Sequence, residues 1–431
     1  MEQFGPYEVI IGASIIIILS FFFSEIAKRT NVPSVLMLIL LGMAMKFGLD
    51  KMTVLEISFA FPLELLGIIG LIMIVLEAAL ELKLDRDKLL PIGKAFLIAA
   101  VGLGLSAWAA AEMLVYFVDG MDHTSAWLYA TPLSILSSAI IIPSVGGLRK
   151  DKKEFHIYES TFSDILGIIL FYFLTKPFEV AETGEGEPTL VAYLISIVIT
   201  VIAAFIASYL LVVVFQQLKS HVKLFLLIAV LLLLYSVGKQ FHLSSLIIIL
   251  VFGLVFANIE LAFKPFPRFL DRQKVHEIYE GLHVVTLETA FVVRTFFFVI
   301  FGLTIDPTSL LSFEVLKISL LIIISIYLIR FVLLRIFVGR DMLPQLFVAP
   351  RGLITVLLYN AIPAAALIAG FQPGILLFVI IGTSLIMTGA MVQDKKRAGA
   401  AIRRAEADPV DMTIWEAPSL HVVAQAEERS M

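Results

Sequence analysis

His156-Ile157-Tyr158-Glu159-Ser160-Thr161-Phe162-Ser163-Asp164-Ile165-Leu166-Gly167 opens an apolar run that continues through Ile168, Ile169, Leu170, Phe171, Tyr172, Phe173 and Leu174. A helix crosses a bilayer in about 20 mostly apolar residues, and this run is long enough. Glu159, Ser160, Ser163 and Asp164 stand at helical positions i, i+1, i+4 and i+5, so their side chains share one face. An ionisable group well inside a membrane helix is costly and faces protein or water rather than lipid. Asp164 is then either a structural carboxylate matched to a distant cation or part of an ion or substrate pathway. The two hydroxyls that flank it favour the pathway.

Around this stretch, 60% of the 431 residues are hydrophobic and only 16% are charged, well below the ~25% of a soluble domain. The expected class is an all-α polytopic membrane protein without a separate soluble domain. Cysteine is absent, which excludes a disulfide frame, a thiolate nucleophile and a thiolate metal site. Histidines do not cluster with other ligands, so a zinc site is not expected. Neither His-Glu-x-x-His nor Gly-x-Ser-x-Gly occurs, and Ser163-Asp164 has no adjacent base, so the chain does not read as an enzyme. No cofactor and no nucleic-acid partner are expected. The N-terminus lacks a basic n-region and a small-residue cleavage site, and reads as the first span.

Hydropathy gives thirteen spans, at 7–24, 32–48, 62–81, 92–118, 126–148, 155–175, 189–215, 222–238, 244–260, 283–304, 314–337, 344–370 and 372–393. Those at 32–48, 222–238 and 244–260 are short. With the N-terminus outside, the inner loops hold Lys28, Arg29, Lys83, Arg86, Lys88, Arg149, Lys150, Lys152, Lys153, Lys219, Lys223, Lys264, Arg268, Arg272, Lys274 and Arg340. The outer loops hold only Lys46, Lys51, Lys176 and Lys239, as the positive-inside rule requires. The acidic loop with Glu179, Glu182, Glu185 and Glu187 falls outside and reads as solvated. Residues 1–393 form the expected transmembrane unit, and 394–431 a short cytoplasmic tail, disordered or loosely docked. The basic, amphipathic segment 261–282 reads as a linker along the inner membrane surface. The setting is a multi-pass protein among membrane lipids, in a bacterial inner membrane.

Removing the seventh span leaves two sets of six in opposite orientation. Inverted repeats bracket the site in many transporters, and interrupted helices in matching positions point to it. The fifth span carries Thr131-Pro132 and Pro143-Ser144; the twelfth carries Pro344, Ala349-Pro350-Arg351-Gly352 and Pro363. Proline removes a backbone donor and clashes with the preceding turn. Broken backbone at membrane depth persists only where it is buried in protein or lines a cavity. Spans 5 and 12 are therefore the expected crossing helices.

Further polar groups join the candidates. Thr131, Ser134, Ser137 and Ser138 form one stripe on the fifth span. They either bond back to their own helix or, with freed carbonyls and a carboxylate, offer the oxygen ligands of a small hard cation. Glu77, in Leu76-Glu77-Ala78-Ala79-Leu80-Glu81, reads equally as a site carboxylate or a structural acid. Arg294, in Phe291-Val292-Val293-Arg294-Thr295-Phe296-Phe297-Phe298, must be paired because a buried guanidinium keeps its proton. Asp164, Glu159 and Glu77 are its candidate partners. Glu159 is the favoured one, since that choice leaves Asp164 free.

Glu159-Ser160-Thr161-Phe162-Ser163-Asp164 resembles the glutamate-serine-x-x-asparagine-aspartate motif of the sodium/proton exchanger branch of the monovalent cation:proton antiporters. Leu76-Glu77-Ala78-Ala79-Leu80 resembles that branch's third-span motif, Arg294-Thr295-Phe296-Phe297-Phe298 with Gly302-Leu303-Thr304-Ile305-Asp306 is similar to its tenth-span pattern, and Arg351-Gly352 resembles its late arginine-glycine pair. The resemblance implies thirteen helices in an inverted repeat and a homodimer. It also implies that Asp164 binds Na⁺ or a proton, helped by Ser160, Glu77 and fifth-span backbone. Glu159 would pair with Arg294, and Arg351 would stabilise the crossing of the broken helices. Ser163 stands where the branch has asparagine, and the branch's threonine-aspartate-proline is missing from the fifth span. Leu136-Ser137-Ser138-Ala139-Ile140-Ile141 and the form of Phe162-Ser163-Asp164 instead resemble the potassium-efflux branch, so K⁺ and Li⁺ stay open beside Na⁺.

The expected activity is secondary antiport of a monovalent cation against H⁺. Desolvation favours the protonated acid and a bound cation the carboxylate, so Asp164 holds one or the other. Relatives that move two protons per sodium have two adjacent acids. The neighbour here is Ser163, which implies one-for-one, electroneutral exchange. A cation channel and an organic-anion symporter are the rival readings.

Overall fold

The computed structural model describes residues 6–30, 34–51, 60–84, 88–183, 190–217, 223–240, 245–259, 272–304 and 312–407. All regular structure among these residues is helical: α1 (Pro6–Thr30), α2 (Ser34–Lys51), α3 (Ala60–Glu81), α4 (Leu89–Phe117), α5 (His123–Ser134), α6 (Ser138–Ser144), α7 (Lys150–Thr183), α8 (Leu190–Phe215), α9 (Lys223–Gln240), α10 (Ser245–Ala257), α11 (Arg272–Thr304), α12 (Phe313–Phe337), α13 (Leu353–Asn360) and α14 (Gly374–Ala407). Each expected span has helix at its place, but that at 344–370 holds only α13 and a 3-10 turn at Ala364–Ala366, because Pro344, Pro350 and Pro363 interrupt the rest. Among the described residues, eight helical stretches are long and apolar enough to cross a membrane. The shorter apolar helices Ser34–Gly48, Ile228–Gly238 and Ser245–Ala257 fall on the three spans that read as short.

Two units divide the chain, Met1–Ala390 and Met391–Met431. Within the first, depth of burial orders the helices. The α5–α6 pair is central: 78% of its most apolar stretch is buried, against 6% for that of α1. Helix α1 turns Ile11, Ile15, Ile18 and Phe22 outward, and α8 does the same with Val198, Ile202, Ile206 and Leu210. A helix apolar on every side belongs in lipid or in a core, and α1 and α8 are of the first kind.

Two expectations about boundaries change. Residues 272–282 are the first turns of α11 and not a separate surface segment. Between Arg272 and Thr304 the weakest helix formers are Gly281 and Gly302, and a helix tolerates both; residues 260–271 lie outside the described residues. Helix α14 likewise runs on past the apolar span to Ala407, where disorder or loose docking is expected. Alanine, lysine and arginine dominate 395–407, and all three are strong helix formers. The rest of the expected tail, 408–431, lies outside the described residues; of the expected acidic outer loop, Glu179 and Glu182 fall in the last turns of α7, while Glu185 and Glu187 lie outside the described residues.

The basic loops meet at one end of the first unit. Lys88 Nζ bonds Glu154 Oε1 at 2.8 Å, and the Tyr158 hydroxyl donates to the Lys83 carbonyl at 3.1 Å. Lys152 Nζ bonds Asp341 Oδ1 at 2.7 Å, and Arg149 Nη2 reaches Asp341 Oδ2 at 3.3 Å. The loops after α3, α6 and α12 therefore share a side, as their lysines and arginines require if that side is cytoplasmic.

Candidate functional site

The site is built on two interruptions. Residues 135–137 are extended between α5 and α6, and 348–352 are non-helical before α13. Pro132 and Pro143 bracket the first break; Pro344 and Pro350 precede the end of the second. Proline supplies no donor, and the residues around it must find partners outside their own helix.

They do so across the crossing. Leu136 N–H donates to Ser163 Oγ at 2.9 Å, Ser137 N–H to the Pro350 carbonyl at 3.0 Å, and Ser138 N–H to Asp164 Oδ2 at 3.3 Å. Three successive amides of the first break are thus met by α7 and by the second break. The freed carbonyl of Leu133, at the end of α5, accepts from Arg351 Nε at 2.8 Å. A cation at a helix C-terminus also meets the negative end of the backbone dipole. Arg351 Nη1 donates to the Ala349 carbonyl at 2.9 Å, and Arg351 N–H to Thr383 Oγ1 at 3.0 Å. Arg351 therefore ties α5, the second break and α14 together. The close approach explains Gly352: a Cβ there would stand 2.5 Å from Ser137 Oγ and 2.8 Å from Ile140 Cδ1.

Asp164 is buried beside this crossing, with 2% of its surface exposed. Its Oδ2 takes the Ser138 amide, and its Oδ1 has no hydrogen-bond partner among the described residues. No cation pairs with it there either, because the arginines nearby are engaged elsewhere. Arg330 donates through Nη1 to Glu159 Oε1 at 2.7 Å and through Nη2 to Glu159 Oε2 at 2.9 Å. Arg294 Nη2 bonds Glu77 Oε2 at 2.6 Å.

These pairs correct the expected partner of Glu159, which is Arg330 and not Arg294. Helix α11 packs along α3, so Arg294 meets the acid of that helix, Glu77. Glu159 lies on a face of α7 that meets α12 and the stretch at Gln345. Arg330 escaped the reading of the sequence although the signal was present: it is an arginine inside the apolar run Ile326-Tyr327-Leu328-Ile329-Arg330-Phe331-Val332.

The hydroxyl stripe divides. Thr131 Oγ1 donates to the Trp127 carbonyl at 2.8 Å and Ser134 Oγ to that of Ala130 at 2.9 Å, so both bond back to α5. Ser160 Oγ donates to the His156 carbonyl at 2.7 Å, so it too bonds back to its own helix, one turn from Asp164. Ser163 caps the break through Leu136. Ser137 and Ser138 are buried at the break itself, and their amides take part in the crossing. A cavity of about 30 Å³ lies against Ser134, Glu159, Ser163, Arg330 and Arg351, room for a water-sized occupant. A wider cavity of about 540 Å³ opens between α3, α7 and α11, walled by Glu81, Glu154, Tyr279, Glu280 and His283.

The arrangement is a buried carboxylate with one free oxygen, set against the polar backbone of the first break and neutralised by no fixed cation among the described residues. A bare anion stripped of its hydration is strongly disfavoured. Such a group can take up a proton, which removes the charge, or a cation, which balances it.

The profile of the family described as "Sodium/hydrogen exchanger, transmembrane" matches residues 15–393. No curated protein sequence matches the chain. Among solved structures, the sodium proton antiporter MjNhaP1 from Methanocaldococcus jannaschii at pH 8 superposes with a TM-score of 0.67 at 18% identity, over 91% of this chain and 97% of that one. A second structure of the same antiporter, from an electron-microscopy map, gives 0.64 at 19% identity, over 94% of this chain and all of the other.

Proposed function

From a chain that belongs to the sodium/hydrogen exchanger family, we infer electroneutral exchange of a monovalent cation, Na⁺ first, against H⁺, with both ions competing for Asp164. As a secondary transporter it is not an enzyme, and its ions are substrates and not cofactors. The observation that carries the reading is the state of Asp164: buried, free at Oδ1, and without the guanidinium that each of its carboxylate neighbours has.

In the mechanism, the carboxylate releases its proton as a cation enters, and the loaded site is presented to the other side. The empty anion resists the crossing because it is charged and desolvated. Glu77 is tied to Arg294 and Glu159 to Arg330, and Ser163 next door is not an acid, so one titratable seat remains. One seat supports one proton per cation. Ser160 and Ser138 supply oxygens near it, and Glu77 acts on it from α3. Arg351 keeps the two breaks crossed.

The transport unit is residues 1–393, with the N-terminus outside and 394–431 as a cytoplasmic tail. It works as a homodimer in the bacterial inner membrane. The potassium-efflux character of Leu136-Ser137-Ser138-Ala139-Ile140-Ile141 supports K⁺ as the second candidate ion. A panel of Na⁺, Li⁺ and K⁺ applied to proteoliposomes holding a pH dye tests the reading. Exchange with Na⁺ at the lowest half-saturating concentration is expected. Dye signals with none of the three ions would overturn the assignment.

A further inference from the structure

Resting on that reading, we propose that Lys152 is a positioning residue for transport, the outermost of three cations that fix the non-helical stretch 341–352 against the helix of Asp164. The stretch leads from α12 into the second break, and it has no helical ladder to satisfy its carbonyls. Some are met within it: Leu346 N–H bonds the Met342 carbonyl at 2.8 Å and Phe347 N–H that of Pro344 at 3.0 Å. Others are met by cations in succession. Lys152 Nζ bonds the Leu343 carbonyl at 2.6 Å. Arg330 bonds that of Gln345 through Nε at 3.1 Å and Nη2 at 3.0 Å. Arg351 Nη1 bonds that of Ala349.

Two of these cations belong to the site already described; Lys152 does not. Its residue is 9% exposed, and lysine is rarely buried unless paired. Here Asp341 Oδ1 at 2.7 Å and the Leu343 carbonyl hold the ammonium, both through charge-assisted bonds. Arg149 shares Asp341 from the exposed side. Lys152 and Glu159 are seven residues apart on α7, one face two turns along. Helix α7 therefore grips the stretch at two levels, directly through Lys152 and through Glu159 by way of Arg330. The same helix presents Asp164 to the break. Lys152 touches no transported ion; it sets how often the break is held where Asp164 needs it.

When only a fraction of molecules hold a competent site, apparent affinity falls by that fraction while the rate at saturation is kept. Lys152→Met should then raise the half-saturating Na⁺ concentration about three-fold or more in proteoliposomes, with the saturated rate within two-fold of the parent. Lys152→Arg, which can donate to both oxygens, should restore the parent value. Hydrogen–deuterium exchange of the full chain in detergent reads the same hold without transport: amides of 342–349 should exchange faster in Lys152→Met and as in the parent in Lys152→Arg. Unchanged half-saturation with unchanged exchange overturns the proposal, and so does a loss of saturated rate alone. Should the methionine variant fail to assemble, Lys152→Gln carries the same expectations. If the parent itself moves no cation, the exchange reading falls, and the amide measurement still decides the role of Lys152.

Discussion

Arg330 grips Glu159 with two parallel hydrogen bonds of 2.7 and 2.9 Å, while Asp164, five residues along the same helix, faces no guanidinium among the described residues. On the proposed mechanism the contrast divides the labour on α7: one acid is fixed for geometry and the other is left to change its occupant. A buried pair of this kind adds little net stability, but breaking it strands a charge, at a cost of about 3–5 kcal/mol. Glu159→Ala should therefore lower the thermal midpoint sharply. Glu159→Leu combined with Arg330→Leu should lower it less than the sum of the two single changes. Additive losses in that double-mutant cycle would mean that the two side chains do not act as a pair.

Ser163 receives the Leu136 amide, so its hydroxyl holds the first break open. Ser163→Ala leaves a buried N–H unmet, a loss of about 1–3 kcal/mol. Thermal melts should register it, and half-saturating cation should rise. Ser163→Asp tests stoichiometry from the other direction. A second acid beside Asp164 should make uptake respond to an imposed membrane potential, where the parent does not. A parent that is itself driven by potential alone contradicts one-for-one exchange.

Gly352 packs its α-carbon against Ser137 where the two breaks cross. Overpacking a tight contact costs about 1–3 kcal/mol; the Ile140 methyl can turn aside, but Ser137 Cβ, 3.0 Å from the added methyl, is fixed to the backbone of the first break. Gly352→Ala should reduce exchange strongly while the protein still reaches the membrane. Exchange at the parent rate would show that the crossing tolerates a methyl group.

Asp122 caps α5, accepting from Thr124 N–H at 2.9 Å and Ser125 N–H at 3.1 Å. Burial works against its charge, but the bonds from Ser125 and Thr124 prevail and hold the carboxyl below the usual carboxylate range. A group with a lowered folded value stabilises above its unfolded pKa, ~3.9, and loses that contribution as pH falls through the folded value. Asp122→Ala should cost about 1 kcal/mol near pH 7, and the gap to the parent should shrink below about pH 4. Melting curves across pH 3–7 check this; a gap that grows on acidification has the wrong sign.

Much of the architecture is readable in the residues. Apolar runs place the helices, and Pro132, Pro143, Pro344 and Pro350 mark the two breaks, because a missing N–H is a local property. Asp164 stands out for the same local reason, a carboxylate amid isoleucine, leucine and phenylalanine. Which arginine meets which acid is not local. Arg294 and Arg330 both sit in apolar helices, and only the packing of α11 on α3 and the reach of Arg330 from α12 to α7 assigns Glu77 to one and Glu159 to the other. The cap from Ser163 to Leu136 was hidden likewise, since it joins residues 27 apart through tertiary register. Helix ends were missed where the pattern has no breaker, at 272–282 and 395–407.

The most direct test of the account is proton release on cation binding. Na⁺ is added to the purified protein in weakly buffered detergent solution, and the pH change is read against the amount of protein. One proton should be displaced per Na⁺ bound in the parent and none in Asp164→Asn, at equal folded content by thermal melt. An undiminished release from Asp164→Asn would contradict the claim that proton and cation share that carboxylate.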